Sequence, residues 1–465
     1  MDVMVPSAGV LSTPAFLTRW ETTSTNRGRK RAWKTMQVFM ATDVLKFAER
    51  PVDSSQLTSV QNPTRNSEAC RSCHAAGLDE IAGAFRGYAE QGARPTFDPK
   101  DDWHDDLFAP GFSGQQMPAA EYPRALQWTT KQIANDPRFG IAVTRRMFQG
   151  ITGMRPLDYP KDKQATDFAV QVKAFTAQSD FFHDTGTDFM ANGQDLRRVV
   201  VAIVKSPWFR AKAATAPAGA MQENLGHGLL LGPEMLSRKY EAVLGVHAGD
   251  IRNDPWLSKD NYHRHWLKEE WRMLMGGIDS RTVTQRAQAI SPTMLSGATF
   301  IGNQMACRMA SFDFTRPADQ RTLFPLVEVN TVPLTPRAQE GLPLVEVPEN
   351  LAAIRENIVY LHWRFLGEKL PSNDPEVDRL VSLYVDAWKI LEEEHLARVA
   401  MNQNGWDFST YACQGRWDYT AINDRRDGFP ELPAAKRIER DRTFTIRSWQ
   451  AVLAYLMTDY RFLHE

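Results

Sequence analysis

Apolar positions recur at helical spacing along most of the chain. From Trp33 through Met36, Val38 and Phe39 the pattern predicts a helix that runs to Arg50 and is stopped by Pro51. Ala75 to Gln91, with Ile81, Ala82, Ala84, Phe85 and Tyr88, predicts a second helix built from small residues. A Pro/Gly/Asp-rich loop follows from Gly92 to Pro123. Further helices are predicted at Phe139 to Gln149, Asp167 to Gln178 and Asp195 to Val204, then from about Gly226, at Trp266 to Met275 and at Met294 to Ala310. The last three are Leu351 to Phe365, Asp374 to His395 and Thr445 to Met457. Only Leu323 to Val347 reads as β-like, and its prolines at 325, 333, 336, 343 and 348 make it an extended loop or a two-stranded edge ribbon. The expected class is therefore mainly α.

Two stretches repeat one order of elements. Asp136 to Ala211 and Asn350 to the end each read as helix, Gly-containing turn, acid-started helix and a last helix, closed by Pro207-Trp208-Phe209-Arg210 or by Tyr460-Arg461-Phe462. An internal duplication of a three-helix unit describes this better than a solenoid. The expected organisation is a small module at 1–125, a first three-helix unit at 126–215, a helical middle region with a Pro-rich extended segment at 216–349, and a second three-helix unit at 350–465.

Charge changes this picture little. With 55 basic against 56 acidic residues among 465, the chain gives no reason to expect nucleic acid or an anionic membrane as partner. No run approaches the ~18 apolar residues of a membrane span. The basic cluster Arg27-Gly28-Arg29-Lys30-Arg31 reads as a solvated helix start, or as a cover for an anionic group.

Candidate chemistry concentrates in Cys70-Arg71-Ser72-Cys73-His74, in a chain with four cysteines and ten histidines. An accidental Cys-x-x-Cys-His match is expected only ~0.0006 times in such a composition. This run is the attachment pattern of a c-type haem, where two thiols bond the vinyl groups and the next histidine binds iron. A redox dithiol or half a zinc site are the competing readings, but no apolar strand precedes the motif, and the other cysteines stand more than two hundred residues away. Downstream, Gly114-Gln115-Gln116-Met117-Pro118 has the form of a loop that presents a distal methionine, because proline favours an extended residue before it. His74 and Met117 are the expected axial pair for one haem c; His104 is the rival distal ligand, and packing in a core is the plainer role for Met117. His263 and His265 are only a weak metal candidate, without a spaced acidic partner. There is no phosphate loop, nucleophile elbow, zinc-protease pair or dinucleotide fingerprint.

The segments Ala8 to Leu17, Asn26-Arg27-Gly28-Arg29, and Cys70 to His74 followed by Leu78-Asp79 and Gly83-Ala84-Phe85 resemble the cytochrome-like domain families of unknown function in large exported proteins of planctomycetes and myxobacteria. Where those families usually run Ile-Asp-Pro-x-Gly-Phe, this chain has Leu78-Asp79-Glu80. The resemblance covers roughly residues 5–125 and implies a haem-bearing, exported, mostly helical protein with no established reaction. Met1 to Leu11 lacks a basic leader and a long apolar core, so the expectation is a processed form or fragment of a longer protein, in the periplasm or at the cell surface. There, Cys307 and Cys413 either pair or remain buried thiols. The expected role is one-electron transfer to a redox partner protein or companion subunit. An open distal site would instead suit a peroxidase or oxidase, and a scaffold subunit would use the haem as a relay.

Overall fold

The computed structural model describes residues 5–47, 61–91, 94–100, 106–211, 228–246, 267, 271–279, 282–403, 413–420 and 429–465. The chain divides into two units, Met1–His227 and Gly228–Glu465, and both are mainly α-helical. The boundary falls inside the expected middle region at 216–349.

In the first unit, α1 (Pro14–Arg19) starts where the Thr13 side chain accepts from the Phe16 N–H, and α2 (Arg29–Phe39) follows. The expected helix over 33–50 is shorter than its apolar pattern, because the chain leaves α2 at Met40 and makes only a 3-10 turn at Val44–Phe47. Next come α3 (Pro63–Asn66), α4 (Glu68–Cys73), a π-type turn at His74–Leu78, and α5 (Asp79–Ala84). The helix expected to reach Gln91 stops at Ala84. Gly87 adopts φ +75, and a Cβ there would stand 2.5 Å from the Asp98 carbonyl oxygen, so this position turns the chain instead of continuing the helix. Tyr88–Gln91 then forms β1, paired antiparallel with β2 (Arg94–Phe97), with the Tyr88 and Phe97 rings 4.9 Å apart. A second small ribbon joins β3 (Gly111–Phe112) to β4 (Gln115–Gln116) through Ser113 and Gly114, both at positive φ. The loop expected over 92–123 is thus partly ordered into ribbons, and among the described residues the strands lie here and not in Leu323 to Val347.

The remaining helices of this unit are α6 (Ala125–Asn135), α7 (Pro137–Thr152), α8 (Phe168–Ala191), α9 (Leu196–Lys205) and the short α10 (Pro207–Arg210). Asp136 and Asp195 accept from N–H groups of the first turns of α7 and α9, which explains where both begin. One apolar cluster joins Leu17, Met36, Ile81, Phe85, Met117 and Leu126; another joins Phe148, Phe182, Phe189, Val199 and Ile203.

The second unit contains α11 (Pro233–Leu244), α12 (Pro292–Phe314), α13 (Pro348–Leu366), α14 (Pro375–Ala400), α15 (Thr445–Thr458) and α16 (Tyr460–Leu463). Its core packs α12, α13, α14 and α15 through residues such as Ile301, Ile358, Tyr384 and Trp449. The Asp313 carboxylate, at the end of α12, takes N–H bonds from Thr322, Leu323 and Phe324 at 2.8, 2.8 and 2.9 Å, and so fixes the turn that leads away from the helix. Residues 323–347 are an extended loop with a single bridge between Leu334 and Glu346. Cys307 on α12 and Cys413 form a disulfide, with Cα atoms 4.7 Å apart. No described helix is long and apolar enough to cross a membrane.

Candidate haem site

The Cys-x-x-Cys-His run is wound into one short helix and the turn that leaves it. Cys70 and Cys73 lie three residues apart on α4, hence on neighbouring positions of one helix face, and both are partly accessible. Neither takes part in the disulfide. The Cys73 thiol lies 3.4 Å from the Val44 carbonyl oxygen, which places the 3-10 turn at 44–47 beside the motif.

His74 begins the π-type turn, and its ring is oriented by a residue five positions on. Nδ1 lies 2.7 Å from Asp79 Oδ1, a hydrogen bond in which Nδ1 donates and the carboxylate accepts. That leaves Nε2 as the ring nitrogen not engaged by Asp79. Asp79 is the first residue of α5 and is fully buried. Arg29 Nε reaches the same carboxylate oxygen at 2.8 Å, and the Phe108 N–H faces Oδ2 at 3.4 Å. Burial pushes the Asp79 pKa up, but hydrogen bonds and charge from His74 and Arg29 outweigh it and hold the carboxyl below its ordinary range. The Arg29 guanidinium continues to Asp106 Oδ2 at 3.3 Å.

The expected solvated face of the Arg27 to Arg31 cluster is not what folds. Arg29 is only 13% exposed at its side chain, and Arg31 is fully buried. Arg31 donates to the carbonyls of Trp20 at 2.8 Å, Leu17 at 3.2 Å and Tyr88. Two of the carbonyls belong to α1 and its C-terminal end and the third to β1, so the cation, on α2, ties α1, α2 and β1 together. Lys30 keeps an exposed position between them. Arg27 and Arg86 line a cleft of about 260 Å³ beside α5, together with Ser24, Ala82 and Phe85.

Met117 follows β4 and is 1% exposed, inside the apolar cluster shared by α2, α5 and α6. Its N–H donates to the Pro110 carbonyl at 2.9 Å, closing the ribbon. The ribbon docks on α5, where the Ser113 and Gly114 N–H groups face the Glu80 carboxylate. Burial raises the Glu80 pKa against those two bonds, and Oε2 has no hydrogen-bond partner. The fold therefore brings the Met117 ribbon onto the helix that follows His74. His104, His263 and His265 lie outside the described residues. Among the described residues, no three His, Cys, Asp or Glu side chains converge as a metal-binding group.

Sequence reasoning missed Arg29 and Asp79 as members of the site. Asp79 had the one available signal, an acid at the start of the helix after the motif. No family model, curated protein or solved structure matches the chain.

Proposed function

We propose that this chain is a haem c-bearing electron-transfer protein, with one haem attached through Cys70 and Cys73 and ligated by His74 and Met117. The observation that carries the reading is the His74 to Asp79 hydrogen bond at 2.7 Å, in a motif whose two thiols sit on one helix face. A metal-ligating histidine characteristically donates its second ring nitrogen to a carboxylate or carbonyl, and this one is oriented so by a fully buried partner. The donor set fits the group: two partly accessible thiols, an adjacent imidazole whose Nε2 is not engaged by Asp79, and a thioether in the apolar cluster next to α5. When bound, haem supplies a one-electron iron couple whose potential depends on the axial ligands and their surroundings. The chain's own part is to orient His74, to bury Met117 and to keep water from the apolar side.

The Cys307–Cys413 disulfide supports an oxidising compartment, such as the periplasm or cell surface. We further read the chain as a subunit or fragment of a larger assembly, delivering electrons to a redox partner or companion subunit, with an internal duplication in its helical body. The α7 to α10 and α13 to α16 series support the duplication. In each, the first helix ends at a glycine with φ near +70°, Gly153 or Gly367, and a four-residue helix closes the series. An aromatic residue of that closing turn packs on the first helix: Trp208 against Phe148 at 6.1 Å, and Phe462 against Phe365 at 5.9 Å.

The test is intact mass with a visible spectrum of the protein exported from a host competent in haem attachment. The expected result is a mass gain of about 616 Da, lost in the Cys70→Ala/Cys73→Ala variant, and in the oxidised form a weak band at about 695 nm from the methionine sulfur. An unmodified polypeptide mass sinks the reading. A second reading, a peroxidase or oxidase with an open distal site, is favoured by the carboxylate on His74, which raises the basicity of the ligand. A high-spin spectrum that shifts with cyanide would select it.

A further inference from the structure

We infer that Asp79 is the positioning residue of this site, and that Arg29, Asp79 and His74 form a buried relay that sets the reduction potential of the bound iron. The inference rests on the haem reading above. Geometry gives the relay its direction. Asp79 Oδ1 is shared between His74 Nδ1 at 2.7 Å and Arg29 Nε at 2.8 Å, while Oδ2 faces Arg29 Nη2 at 3.5 Å and the Phe108 N–H at 3.4 Å. The three residues that donate to the carboxylate come from different segments, so the oxygen that holds His74 cannot rotate without breaking the other bonds.

Two consequences follow for a ligand bound at Nε2. The imidazole has one tautomer and one ring plane, because Nδ1 is committed to a fixed acceptor. A carboxylate on Nδ1 also increases electron donation through the ring, which favours ferric over ferrous iron. In water such an acceptor would be weakened by solvent. Here the carboxylate is 0% exposed and its charge is balanced by a guanidinium only 13% exposed. Arg29 therefore permits a negative charge to be buried against the ligand. A purely structural ion pair between α2 and α5 would need only Arg29 and Asp79. The third member, at the shortest distance of the set, is what points to the iron.

The experiment compares reduction potentials of the haem-loaded full chain and Asp79→Asn, in which the amide oxygen still accepts from Nδ1 while the charge is lost. A tenfold change in the preference for ferric iron is expected, an upward shift of about 59 mV for a one-electron couple. Should Asp79→Asn fail to accumulate because Arg29 loses its fully buried partner and keeps only Asp106, the Arg29→Gln/Asp79→Asn variant removes both charges and is expected to shift the same way. A potential unchanged or lowered in the folded, haem-loaded variant overturns the relay and leaves the haem reading standing. Absence of haem from the wild-type chain instead removes the haem reading, and the relay with it.

Discussion

Gly140 on α7 and Gly186 on α8 meet backbone to backbone: a Cβ on Gly140 would stand 2.5 Å from the Gly186 carbonyl oxygen, and one on Gly186 would stand 2.7 Å from the Gly140 carbonyl carbon. The two helices approach this closely because neither carries a side chain there. Gly186→Ala should therefore destabilise the first unit by about 1–3 kcal/mol through overpacking. The ~1 kcal/mol by which alanine favours a helix only partly offsets that cost. Thermal unfolding followed by circular dichroism checks it, and an unchanged or raised midpoint would show that the helices can separate at no cost.

Arg31 gives a second prediction. Its guanidinium is fully buried on three main-chain carbonyls, those of Leu17, Trp20 and Tyr88. Arg31→Met keeps much of the volume but leaves those carbonyls without their donor, at about 1–3 kcal/mol for each one that water cannot reach. Arg31→Lys should recover only part of the loss, since an ammonium cannot span the same fork. Chemical denaturation of both variants measures the order, and an Arg31→Lys variant as stable as the wild-type chain would overturn it.

The disulfide gives a third. Cys307 and Cys413 close a sequence separation of 106 residues. Cross-links of that reach stabilise by about 2–5 kcal/mol, mainly by restricting the unfolded chain. Cys413→Ala, or reduction of the folded protein, should lower the unfolding midpoint of the second unit. Peptide mapping without reductant should recover the two cysteines as one linked species.

Acid sensitivity follows from Asp136. This residue accepts from the Arg138 N–H at 2.9 Å and from the Arg138 side chain at 2.8 and 2.7 Å. Burial pushes its pKa up, but the bonds and charge of Arg138 outweigh that and leave it below the ordinary value. A depressed carboxylate contributes stability that is complete above the unfolded pKa, about 3.9, and is lost as pH falls through the folded one. Asp136→Asn should keep the cap on α7 while flattening the dependence of stability on pH below about 4. An equally steep acid limb in the variant would assign that sensitivity to other carboxylates.

Much of the helical body was legible because its signals are local. Asp136-Pro137 and Asp374-Pro375 mark helix starts, Gly153 and Gly367 mark ends, and the apolar spacing between them holds. Residues 88–91 were misread as helix because small apolar residues suit a helix as well as a ribbon, and 94–97 as loop; the deciding fact is the space at Gly87 against Asp98. Basic residues at 29 and 31 were read as solvated since charge usually is. Their burial depends on acceptors at 17, 20, 79 and 88, which no local pattern reveals. The Cys70 to His74 motif was visible at once, while the residue that orients its histidine is identified only by a contact in space.

The Arg29 guanidinium also touches Thr64 Oγ1 at 3.5 Å and the Asp106 main-chain oxygen at 3.4 Å, besides the two carboxylates. Four well-separated stretches of chain, around 29, 64, 79 and 106, thus converge on one side chain. During synthesis this junction cannot close until residue 106 has emerged, so Cys70 and Cys73 become available before the structure around them can lock. Under the haem c proposal, that order leaves both thiols reachable for attachment until the junction closes.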